Sequence, residues 1–163
     1  YAVILLALGL AWRAWRQRDA RLALTVTAML LATALVSLLK SQSLHACPWE
    51  LQAYGGTAEY FALFAHAPAN TGEGRCFPGG HASGGFSLML LYFYYQPRWP
   101  QLARYWLAGG LLLGMLMGWG QLMRGAHFLS HNLWSGWLVW LAGVLLFAAY
   151  DGYRQLKLRL IMA

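Results

Sequence analysis

Uncharged apolar stretches alternate with short basic gaps along the chain. Residues 1–12 (YAVILLALGLAW) read as the end of one span, and residues 22–39, between Arg21 and Lys40, as a complete one. Residues 81–96 form a shorter span, 105–123 another and 126–150 the last. A membrane-crossing helix needs about 20 largely apolar residues, because it must traverse a hydrocarbon core about 30 Å thick. The pattern predicts an all-α, polytopic transmembrane helix bundle with five visible spans. Residues 57–66 (TAEYFALFAH) read as a short interfacial helix. The chain starts inside apolar sequence and without methionine, so an N-terminal truncation is expected. One more upstream span would start the protein in the cytoplasm and make six. Residues 1–163 read as a single membrane-embedded domain.

Composition strengthens this picture. Apolar residues make up 60% of the chain and charged ones 10%, against about a quarter charged in a soluble domain. Mean hydropathy is +0.45. These values exclude a water-soluble globule, a disordered tail and a disulfide-dense secreted scaffold. The net charge of +7 would suggest nucleic acid in a soluble protein, but its distribution argues against that partner. Nine of the 12 basic residues fall after the first span, between the third and fourth, and in the C-terminal tail. The positive-inside rule assigns those gaps to the cytoplasm. The other three, Lys40, Arg75 and Arg124, share the opposite side with all five histidines: His45, His66, His81, His127 and His131.

Three segments on that outer side carry chemistry: Lys40 to Trp49 (KSQSLHACPW), Cys76 to Ser83 (CFPGGHAS) and Arg124 to Asn132 (RGAHFLSHN). Lys40 is either a snorkelling interfacial lysine or a cation facing an anion. Pro78-Gly79-Gly80-His81 opens a helix, where glycines permit close approach and free N–H groups favour an anion. His81 there is a general acid or an interfacial histidine. His127 and His131, four residues apart, share a helix face if the helix includes both. They read as a nucleophile with its orienting partner, as a metal pair, or as a packed pair. Arg124 is expected to meet a carboxylate or a phosphate. Cys47 and Cys76 either bridge the first two segments or stay as separate buried thiols. His45 and His66 read as loop or interfacial residues, and Trp134, Trp137 and Trp140 as packing or lipid contacts.

Taken together, the segments resemble the type-2 phosphatidic acid phosphatase superfamily, with its pattern K-x6-R-P, P-S-G-H and S-R-x5-H-x3-D. Lys40 and Pro48 hold the first spacing, Pro78, Gly80 and His81 the second, and His127 the nucleophile position of the third. The resemblance covers roughly residues 22–150. Four departures stand out: Cys47 for the first arginine, Gly79 for the serine, Gln121 for the third motif's arginine and His131 for its aspartate. Arg124, about one helical turn from His127, is expected to supply the missing cation in a shifted register.

The resemblance implies a membrane lipid phosphatase that works without metal or other cofactor. Lys40, Arg124, Gln121 and the backbone at Gly79 and Gly80 would hold the phosphate. His127 would become a phosphohistidine, His81 would serve as acid and then base, and His131 would orient His127. With a neutral imidazole in place of a carboxylate, the nucleophile is expected to be more easily silenced by acid. The substrate would be a lipid phosphate or pyrophosphate, met at the periplasmic face of a bacterial inner membrane. A lipid phosphotransferase would use the same residues. The rival from another class is a non-catalytic or metal- or haem-binding membrane protein. It would need histidines paired inside spans, whereas all five lie at loops or helix ends.

Overall fold

The structure, a computed structural model, describes residues 1–162 and is helical throughout its regular parts. Helix α1 runs Ala2–Gln17 and α2 Ala20–Gln42. A long outer segment with two 3₁₀ turns, Pro48–Glu50 and Gln52–Tyr54, then leads to α3, Gly80–Phe86. The 3₁₀ stretch Ser87–Leu90 joins α3 to α4, Leu91–Tyr95, and α5 (Pro100–Met123) and α6 (Leu129–Met162) complete the bundle.

Three helices are long and apolar enough to cross a membrane: α2, α5 and α6, with 23, 24 and 34 residues. Five spans are expected from the sequence, and three helices meet this length and composition. Helix α1 has 16 residues, with Arg13 and Arg16 in its last turns. The stretch expected to span at 81–96 consists of segments of 7, 4 and 5 residues, the middle one 3₁₀. The expected helix at 57–66 is absent. There the Ala58 N–H donates to the Glu50 carbonyl, Gln52 N–H donates to the Ala58 carbonyl, and Glu59 N–H donates to that of Asn70. Backbone donors given to distant strands of loop cannot build an i→i−4 ladder.

Local sequence sets the helix boundaries. The Asp19 carboxylate caps α2 by accepting from the N–H groups of Arg21 and Leu22, at 3.1 and 3.0 Å. Pro100 begins α5, where its missing N–H costs nothing. Small residues then allow the rods to close on each other. Ala103, Gly110, Gly114 and Gly118 form the buried stripe of α5. A Cβ on Gly85 of α3 would lie 2.6 Å from Gly114 Cα, so the two backbones touch. The fully buried Phe86 ring fills the space beside Gly114 and Gly136.

One end of the bundle is tied by polar contacts. Arg21 pairs with Asp151 at 2.7 Å and donates from Nε to the Phe93 carbonyl, while Tyr94 donates its hydroxyl to Asp19 at 2.9 Å. The start of α2, the end of α4 and the late turns of α6 therefore share that end. Lys40, the start of α3 and the start of α6 lie at the other.

Candidate active site

The segment from Ser43 to Gly79 is closed on itself by a disulfide between Cys47 and Cys76, whose Cα atoms are 5.1 Å apart. The Glu50 carboxylate accepts from Cys47 N–H at 2.7 Å, and Arg75 and Cys76 donate their N–H groups to Ser43 and His45 carbonyls. The first and second motifs are thereby held side by side. Cys76 Sγ also lies 2.9 Å from the Ala126 carbonyl oxygen and 3.5 Å from His127 Nδ1. Bonded to Cys47, that sulfur has no proton, so its approach to Ala126 is a close sulfur–oxygen contact rather than a hydrogen bond.

Helix α6 carries the third motif and clamps the second. Gly79 N–H donates to the His131 carbonyl at 3.0 Å, and the buried Ser135 hydroxyl lies 2.9 Å from the Gly79 carbonyl that it can donate to. His127 sits just before α6, 5% exposed, and His131 in its first turn, 6% exposed. Their Nδ1 atoms are 3.4 Å apart. A contact between two imidazole nitrogens holds one proton, so one ring donates and the other accepts. If His127 donates, its lone pair is on Nε2.

Burial pushes the His127 pKa down to about 4, with the charges of Lys40 and His81 acting in the same direction. The expected acid sensitivity therefore has the wrong sign. A buried imidazole without a carboxylate partner resists protonation, and its free base persists to lower pH.

Lys40, near the end of α2, and His81, in the first turn of α3, line one open cavity of about 440 Å³, with Arg75 and Gly80. The Lys40 ammonium would lie 3.9 Å from a Cβ built on Gly80. The second cation of this cavity is thus Arg75, not the expected Arg124. Arg124 caps α5 and is exposed, and Gln121 lies in the last turns of α5; neither lines this cavity. The R-x5-H spacing, which puts arginine six residues before His127 in the resembled pattern, lands here on Gln121 in the last turns of α5.

Asn132 and Arg75 are the residues that sequence reasoning missed. Asn132 is 1% exposed, and its amide has no hydrogen-bond partner among the described residues. A Cβ on Gly79 would stand 2.5 Å from its Oδ1, and one on Gly118 would stand 2.6 Å from its Cγ. A side chain at 79 would compete with Asn132 for this space. An asparagine inside an apolar helix was a readable signal.

Cys76, His127 and His131 bring ligand-type atoms within 4.8 Å of one another. The disulfide leaves Cys76 without a thiolate, and the nearby Lys40 opposes a cation, so this donor set does not fit a metal ion.

This arrangement brings together a buried histidine pair, a third histidine and two cations at one end of an apolar helical bundle, the equipment of a phosphate-transferring membrane protein. The family model of the PAP2 superfamily matches residues 21–154, and the chain belongs to that superfamily. Family and apolar helices together define a membrane phosphatase. No curated protein and no solved structure matches the chain.

The Gly79–Asn132 fit yields a test by double substitution. Gly79→Ser alone should destabilise the protein by about 1–3 kcal/mol through overpacking. Adding Asn132→Ala should recover most of that loss in thermal unfolding in detergent. Additive losses would show that the two residues do not share this space.

Proposed function

We propose that the chain is a lipid phosphatase that hydrolyses a phosphate or pyrophosphate monoester headgroup through a phosphohistidine on His127. The observation that carries this reading is the Nδ1–Nδ1 contact of 3.4 Å, which can reserve Nε2 of His127 for attack. His131 takes the orienting role with its imidazole. Lys40 and Arg75 line the cavity beside His81 and are suited to the phosphate oxygens, with the backbone at Gly79 and Gly80 close by. Arg124 and Gln121 have no part in this reading.

His127 Nε2 bonds to phosphorus as the bond to the lipid oxygen breaks, and His81 gives that oxygen its proton. His81 then takes a proton from water, whose oxygen displaces the imidazole and releases inorganic phosphate. Each step uses side chains alone, so no metal is needed. The basic ends of the helices favour the cytoplasm under the positive-inside rule, and the disulfide favours an oxidising compartment at the opposite face. An inner-membrane protein with its site facing the periplasm satisfies both. Helix α1 and the α3–α4 run, although short, pack within the bundle and would make five crossings of the visible chain.

Phosphate release from a panel of lipid phosphates and pyrophosphates, measured in detergent, tests the proposal. Wild type should release phosphate with or without chelator, and His127→Ala should lose at least a thousandfold in rate. Chelator-sensitive release, or activity in the variant, would refute it.

The low His127 pKa adds a pH prediction. The acidic limb of kcat/KM should fall near pH 4, since activity is lost as the imidazole protonates. His131→Asp supplies a carboxylate that stabilises the imidazolium, so the limb should move towards the ordinary histidine value. A limb that stays in place would remove His131 from the orienting role.

A further inference from the structure

A cavity of about 640 Å³ lies between the segment that joins α2 to α3 and the start of α6. It is a different cavity from the one that holds Lys40 and His81, yet His131 belongs to its wall as well as to the pair with His127. Tyr54, Tyr60, Phe61, Phe77, Phe128 and Trp134 also line it, together with Leu51, Leu63 and Leu129. Several rings meet edge to face, Phe77 with Trp134 at 6.0 Å and Tyr60 with Phe128 at 6.4 Å. Such an arrangement presents ring faces in different directions around one space.

The charge of this cavity is unlike that of its neighbour. Its wall holds no lysine and no arginine, and its one carboxylate is Glu59. His45, stacked on Phe61 at 4.3 Å, is kept below its ordinary pKa by burial and so adds no charge near neutrality. An anion would meet Glu59 with nothing to neutralise it. A hydrocarbon tail would match the apolar wall but gain nothing from Glu59, which is exposed. A cation would meet both the negative faces of the aromatic rings and a carboxylate.

We propose that this cavity binds the ammonium group of an amine-bearing ligand, held by the aromatic rings and Glu59 next to the histidine pair. Resting on the phosphatase reading, this makes the ligand an amine bound beside the phosphate, such as that of the substrate's own headgroup. The same chemistry is available from a lipid headgroup or from a free amine.

The test is direct binding without turnover, so it stands apart from the phosphatase reading. Choline and its uncharged isostere 3,3-dimethylbutan-1-ol would be titrated against the purified full chain in detergent, with saturation-transfer NMR as the readout. Choline should bind at least tenfold more tightly than the isostere. Glu59→Gln, an exposed loop substitution, should weaken choline at least fivefold without affecting the isostere. Trp134→Leu should weaken it further. Equal affinity for the two compounds would overturn the proposal, and so would an unchanged choline affinity in Glu59→Gln. Repeating the titration in nanodiscs identifies the source. Phosphatidylethanolamine discs should raise the apparent choline Kd above that in phosphatidylglycerol discs if the ligand is a lipid headgroup, and equal values assign a free amine.

Discussion

Both polar groups of the Gly79 backbone are met by α6, through the His131 carbonyl on one side and the Ser135 hydroxyl on the other. His131 thus serves two motifs at once. Its carbonyl fixes the turn that launches α3 and His81, and its ring meets the ring of His127. The absence of a side chain at 79 is the condition for this docking, because the Asn132 amide takes the space. A buried amide without partners costs about 1–3 kcal/mol. The bundle accepts that cost at the point where the second and third motifs touch.

The disulfide completes the frame from the other side. Cys76 is next to Arg75, which faces the Lys40 cavity, and its sulfur packs against Ala126 and His127. One covalent link therefore joins the loop that follows Lys40 to the approach to the Gly79 turn, and its sulfur touches the segment bearing His127. At the far end, Arg21–Asp151 and Tyr94–Asp19 hold the helices together through partly buried charge. Glycines at 85, 110, 114 and 118 let the rods approach closely enough for all of these contacts to close.

The helices α2, α5 and α6 were legible because uninterrupted apolar length is a strong signal. The convergence of Lys40, His81, His127 and His131 was legible from their position at span ends. The two shorter helical runs give a weaker signal, and hydropathy does not reveal that Gly80–Tyr95 is partly 3₁₀. Arg124 is nearer His127 in sequence, but Arg75, next to the disulfide-bonded Cys76, is the residue that reaches the Lys40 cavity. The aromatic cavity is not legible in the sequence: its walls come from residues 45–77 and 128–134, far apart in the chain, and Trp134 reads there as packing or lipid contact.

The central claim is that His127 carries the phosphoryl group, and trapping that adduct tests it most directly. Wild-type protein would be mixed with a ³²P-labelled lipid phosphate, quenched in alkali within milliseconds and resolved by mass. A base-stable, acid-labile label on the peptide containing His127, absent from His127→Ala, is the predicted result. Rapid phosphate release with no label on that peptide would contradict the account and point to direct attack by water.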